Sequence, residues 1–216
     1  MKLTAFQIQQ LFLFTEKKYV KYYDLQVELV DHLAIRIEEE MSANNKINFE
    51  QALEKVYTDF GIFGFSKVVQ EKEQQFVRMG RRLLRKELLH FFRWPEIMLV
   101  AFIATISWQL TLWISMDILF PAFFITWAAM SLLLIISIVR NTKKQKKKLL
   151  SIQFSPAAVN GSVFSFEWVY FSIIGTHAPW LFCVIVTMTF LLKFATYRVY
   201  NNIRKEAVRL YPEAFA

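Results

Sequence analysis

Residues 95–114 read PEIMLVAFIATISWQLTLWI. After Glu96 the run carries no charge, and only Thr, Ser and Gln interrupt its apolar side chains. A bilayer core of roughly 30 Å takes about 20 apolar residues as a helix, so this stretch is predicted to cross a membrane. Residues 118–139 are a second uncharged run. Only Ser115, Met116 and Asp117 separate the two, which predicts an antiparallel helical hairpin with Asp117 at its tip. Two more spans are expected at 159–175 (VNGSVFSFEWVYFSIIG) and 179–197 (PWLFCVIVTMTFLLKFATY). The third carries Glu167 in its middle. A carboxylate at bilayer depth costs several kcal/mol, so Glu167 is expected either to face a partner inside the bundle or to lie in a shallow span.

The charges predict an orientation. Arg78, Arg81, Arg82, Arg85, Lys86 and Arg93 precede the first span, and Arg140, Lys143, Lys144, Lys146, Lys147 and Lys148 follow the second. Arg198, Arg204, Lys205 and Arg209 follow the fourth, whereas the loops around Asp117 and 176–178 hold no Lys or Arg. The positive-inside rule then puts both termini and the 140–150 loop in the cytoplasm, in an inner (cytoplasmic) membrane. Because that loop and the tail are both basic, an even number of crossings separates them, which supports the third span. The chain of 216 residues has a formal charge of +8. Its basic residues cluster beside the spans, where insertion topology and contact with anionic headgroups account for them, so no direct nucleic-acid partner is expected. Cys183 is the only cysteine, which rules out an intramolecular disulfide and cysteine-pair metal ligation. The polar residues Thr4, Gln7, Gln9 and Gln10 break the first apolar run, so no cleavable signal peptide is expected and the first span serves as the insertion signal.

Before residue 95 the pattern is that of amphipathic helices. Thr4 is a potential N-cap for a helix carrying Phe6, Ile8, Leu11, Phe12 and Phe14. Tyr22, Leu25, Leu29, Leu33, Ile37 and Met41 recur at three- and four-residue steps and predict a second helix, its other positions filled by charges including Asp24, Glu28, Asp31 and Glu39. A polar turn at 42–47 leads to the stripe Phe49, Ala52, Leu53, Val56, Tyr57 and Phe60. Asn48 and Gln51 stand at capping-box positions, and Gly61 stands at the C-terminal cap. Ile62, Phe63, Gly64 and Phe65 are expected to plug the small core. Residues 66–94 then read as a charged stalk helix.

Glu28 and His32 share a helix face at i, i+4, but a third metal ligand at suitable spacing is missing, so no metal site is expected. No glycine loop for phosphate and no nucleophile–base set can be assembled, and neither enzymatic activity nor a cofactor is expected.

The series YYDLQVELVDHLAIRIEEE, NFEQALEKVYTDFGIFGF and KVVQEKE within residues 22–73 resembles the HAAS type, the helical signalling domain associated with helix-turn-helix regulators. Glu28, Asp31, His32, Leu33 and Ile37 match its acidic, histidine-containing second helix. The resemblance implies a cytoplasmic helical domain followed by membrane spans and linked with PadR-like transcriptional repressors.

The expected fold is all-α. A cytoplasmic helical domain (1–65) is followed by the stalk (66–94), a four-helix transmembrane bundle (95–197) and a basic cytoplasmic tail (198–216). The expected role is a non-enzymatic membrane signalling protein that binds a partner, a PadR-like repressor, through Glu28, Asp31, His32 and Glu39. The alternative is a small transporter or accessory membrane subunit that uses Glu167. Besides the lipid bilayer and that regulator, self-association into a homo-oligomer stays open.

Overall fold

A computed structural model describes residues 2–44, 46–143, 145–153 and 179–215. All the regular elements among them are helices: α1 (Ala5–Lys17), α2 (Tyr23–Ala43), α3 (Phe49–Thr58), α4 (Phe65–His90), α5 (Ile97–Trp113), α6 (Met116–Lys143), the short α7 (Leu150–Gln153) and α8 (Pro179–Leu210), with a 3₁₀ turn at Pro212–Ala214. The described residues fall into two compact units, one built from 2–76, 145–153 and 207–215, the other from 77–143 and 179–206. The expected third span at 159–175, with Glu167, lies outside the described residues.

In the first unit, α2 is the central element. Leu25, Leu29, Val30, Leu33 and Ile37 are buried along its inner face, and α1, α3 and α7 pack against it. This is the stripe that three- and four-residue spacing produces on a helix. Both neighbouring helices start with reciprocal caps. The Gln7 N–H donates to Thr4 Oγ1 at 3.3 Å and the Thr4 N–H to Gln7 Oε1 at 2.8 Å. The Gln51 N–H donates to Asn48 Oδ1 at 2.8 Å and the Asn48 N–H to Gln51 Oε1 at 3.2 Å. Each pair satisfies donors that a helix start leaves open.

The end of α1 has no glycine, yet it closes as a Schellman motif. The Val20 N–H reaches Thr15 O and the Tyr19 N–H reaches Glu16 O. Tyr19 adopts φ 66° to allow this. Val20 is buried beneath the turn while the Tyr19 side chain is 84% exposed.

After α3 the turn differs from the expected apolar plug. Ile62 and Phe63 are exposed, and Phe65 is the one large side chain of the turn that is buried, its ring 5.1 Å from Tyr57 and 4.9 Å from Phe60 between centroids. Gly61 (φ 70°) and Gly64 (φ 49°) reverse the chain, so the residues between them turn outward. Gly64 is needed for close approach as well, since a Cβ there would lie 2.5 Å from Tyr57 Oη.

In the second unit α5 and α6 are joined through Ile114 and Ser115 and pack against each other. Helices Met116–Lys143 and Trp180–Leu210 are long and apolar enough to cross a membrane, and Ile97–Trp113 is a shorter apolar helix. In the most apolar window of α6 only 11% is buried. Ile125, Leu132, Leu133 and Ile135 on this helix face outward. A core helix of a water-soluble protein would instead cover such side chains. Leu119, Phe182, Cys183 and Val186 form one buried cluster, and Phe91, Leu191 and Ala195 another. Hydroxyls inside these helices bond to their own preceding turn: Ser131 to Trp127 O and Thr187 to Cys183 O at 2.8 Å, and Thr196 to Leu192 O at 2.7 Å. Lys193 stacks its Nζ 4.8 Å over the Trp127 ring. Beyond the expected span end at residue 197, α8 continues unbroken to Leu210, so most of the expected basic tail is helix.

Replacing Tyr19 by glycine removes the left-handed strain without losing packing, because the ring is exposed. Tyr19→Gly is expected to stabilise the detergent-solubilised chain by up to about 1 kcal/mol, read as a higher midpoint in thermal unfolding followed by circular dichroism.

Candidate functional site

The start of α2 meets two segments distant in sequence. Asp24 is buried, and its carboxylate accepts the N–H groups of Leu25 (3.1 Å), Leu150 (2.9 Å) and Ser151 (2.9 Å). A buried carboxylate is tolerated when such donors surround it, and bonds to a charged acceptor are the stronger kind. Around it the Tyr23 N–H donates to Lys148 O at 2.8 Å and the Lys146 N–H to Ala214 O at 2.9 Å. The Tyr23 hydroxyl donates to Glu213 Oε2 at 2.5 Å, and Lys147 Nζ lies 3.9 Å over the Tyr23 ring. Leu149, Leu150, Ile152, Ala207 and Ala214 are buried. The 145–153 segment and the C-terminal turn therefore complete this unit. The bond to Glu213, then burial, then the charge of Glu213 push the Tyr23 hydroxyl up to about 12. Burial, followed by the charges of Asp24 and Glu28, raises Tyr211 as well.

The outer face of α2 divides in two. Toward its start, Glu28 forms an ion pair with Lys72 of α4. Farther along, Asp31, His32 and Glu39 are exposed and make no hydrogen bond or ion pair with the described residues. Ile35 lies among them and is 49% exposed. Glu28, Asp31, His32, Ile35 and Glu39 follow i, i+3, i+4, i+7, i+11 spacing and share one face. Nearby charges are engaged elsewhere: Arg36 pairs with Asp59, Glu40 with Lys55 at 2.5 Å, and Glu38 Oε1 accepts the Leu3 N–H at 2.8 Å.

Of the residues that sequence alone marks, the structure keeps Glu28, Asp31, His32 and Glu39 on one face and draws Glu28 into a fold contact. Glu167 lies outside the described residues. Sequence reasoning missed two residues. Asp24 reads as one more surface charge, and no local signal reveals that it caps a segment 126 residues away. Ile35 was legible as an apolar residue out of phase with the inner stripe.

A second charged cluster lies in the other unit. Glu96, just ahead of α5, receives Arg198 Nη1 at 2.8 Å and lies 3.0 Å from His90 Nδ1. The Arg198 guanidinium also stacks over Phe194 at 4.8 Å and Phe91 at 5.4 Å. An acid before a helix and a guanidinium against aromatic rings are both favourable placements. The cluster ties the end of α4 to α5 and α8. Among the described residues no three His, Cys, Asp or Glu side chains converge as a metal site.

In comparisons with known proteins, the chain matches no family model, no curated protein and no solved structure.

Asp24→Ala leaves the N–H groups of Leu25, Leu150 and Ser151 without this acceptor and is expected to cost on the order of 2–3 kcal/mol. It should also speed tryptic cleavage after Lys146–Lys148 in the full chain, because the 145–153 segment comes loose while the rest stays helical. The Tyr23–Glu213 bond depends on a protonated phenol whose folded pKa is raised. Its contribution is complete below about pH 10 and is lost as pH rises toward 12. Glu213→Gln should bring the Tyr23 titration back toward the ordinary tyrosine range, measured as the absorbance at about 295 nm that Tyr23→Phe removes.

Proposed function

We propose that this chain is a non-enzymatic, multi-pass membrane signalling protein with both termini in the cytoplasm. In this reading its N-terminal helical unit docks a soluble regulator through the open part of the α2 outer face. The observation that carries it is the group Asp31, His32, Ile35 and Glu39, acids around an exposed isoleucine with no hydrogen-bond or ion-pair partner among the described residues. Interfaces of this kind draw energy from a central apolar anchor, while surrounding charges select the partner and speed encounter. A basic DNA-binding regulator fits that chemistry, and the HAAS-type resemblance of residues 22–73 points to the PadR-like class. Membrane residence is supported by the outward-facing apolar side chains of α6 and by the length of α8.

The unit also contains the strap 145–153 and the turn after α8, both continuous in sequence with the apolar helices. A change that loosens either one would alter the core beneath α2, which gives a membrane event a route to the docking face.

The test is crosslinked affinity purification of the full-length protein from its native membrane, beside a triple variant Asp31→Lys, Ile35→Asp, Glu39→Lys. Glu28 is left alone because its ion pair with Lys72 belongs to the fold. A soluble DNA-binding regulator should be recovered with the wild type and fall at least roughly tenfold with the variant, the scale set by losing a central contact. Equal recovery with both proteins, at unchanged helicity, would remove this face from the function.

A further inference from the structure

The last turns of α4 carry an exposed basic stripe that pairs with no acid among the described residues. Arg78, Arg81, Arg82, Arg85 and Lys86 follow i, i+3, i+4, i+7, i+8 spacing and all are exposed. None has an acidic partner among the described residues. Glu87, the one acid in this stretch, lies on the opposite side of the helix and approaches Arg198 at 3.9 Å. That opposite side is held down: Leu84 and Leu88 pack with Phe91, Leu191 and Ala195, and Gly80 is buried. Packing therefore fixes the direction in which the stripe faces. Toward the end of α4 and in the turn that follows it, apolar and aromatic side chains are exposed, Leu89 59%, Phe92 48% and Trp94 77%, with Arg93 between the last two, before α5 starts at Ile97. At 1.5 Å per residue the helical part of this face, from Arg78 to Leu89, is about 17 Å long.

We propose that this face is a binding surface for anionic phospholipid headgroups. The phosphates would lie along Arg78–Lys86, and Leu89, Phe92 and Trp94 would sit at the headgroup–acyl boundary. Two features select lipid over other anions. Exposed aliphatic and aromatic residues, Leu89 on the helix and Phe92 and Trp94 in the turn after it, follow the basic stripe in the chain, a combination suited to an interface with a charged outer layer and an oily inner one. The stripe also precedes the apolar helix α5 in the chain, separated from it by residues 87–96, so the cations stand on the side of that helix where headgroups begin. Arginine forks suit phosphate geometry, and each cation near an anionic leaflet adds to the attraction. This inference rests on the membrane-spanning reading.

The experiment uses the delipidated full-length chain in detergent. Binding of phosphatidylglycerol and phosphatidylcholine is compared by native mass spectrometry, for the wild type and for a variant with Arg78, Arg81, Arg82, Arg85 and Lys86 all changed to Gln. The wild type should prefer phosphatidylglycerol by about tenfold or more, a preference that shrinks as salt screens it. The variant should lose it at unchanged helicity. A preference that persists in the variant, that is absent in the wild type or that is flat with salt overturns the proposal, and the salt series decides if the variant does not fold. Displacement of phosphatidylglycerol by duplex DNA at matched phosphate concentration overturns it in favour of a nucleic-acid surface. Alkaline extraction separates the two levels: release of the wild-type chain into the soluble fraction removes the membrane-spanning reading itself, while retention without lipid preference removes only the stripe.

Discussion

A carboxylate cannot be buried without donors, and the first turn of a helix cannot be buried without acceptors. Asp24 answers both demands at once. Its oxygens take the N–H groups of Leu150 and Ser151, which begin α7, and of Leu25 beside it. Neither group could be withdrawn from water alone. Once they meet, Leu149, Leu150 and Ile152 enter the core, and the backbone at 146–148 becomes available to Ala214 and Tyr23. A three-helix unit near the lower size limit for independent folding thereby gains apolar area from two distant segments.

The same economy of charge separates the charges that hold the fold from those left outward. On α2, Glu28, Arg36, Glu38 and Glu40 are committed to Lys72, Asp59, Leu3 and Lys55. Asp31, His32 and Glu39 are left outward around Ile35. On α4, Glu87 and His90 turn toward Arg198 and Glu96, while the arginines on the other side have no acidic partner among the described residues. Unmatched charge of one sign, gathered on a face whose back is packed, is a surface prepared for something of opposite sign.

Inside the apolar helices the constraint is different. Ser107, Ser131, Thr187 and Thr196 each return their hydroxyl to a carbonyl one turn earlier, so they add no unsatisfied group where water is scarce. That local solution leaves the large side chains of α6 free to face outward, which suits a hydrocarbon solvent and would be costly in water.

Local features were legible in the sequence because they depend on neighbours in the chain. The capping box at Asn48 and Gln51, the α2 stripe from Leu25 to Ile37 and the apolar length of α6 and of α8 follow from spacing and composition alone. The Tyr19 turn was not legible, since a left-handed residue is read from glycine and here tertiary burial of Val20 holds a tyrosine there. Nor was the outward turn of Ile62 and Phe63 beside the buried Phe65, because the pair of positive-φ glycines decides which side chain faces in. The amino-acid sequence by itself determined an all-helical chain with apolar helices of spanning length and a charged, amphipathic N-terminal part. Tertiary structure decided which of its many charges hold the fold and which stay open, because a carboxylate such as Asp24 acquires its role from backbone donors more than a hundred residues away.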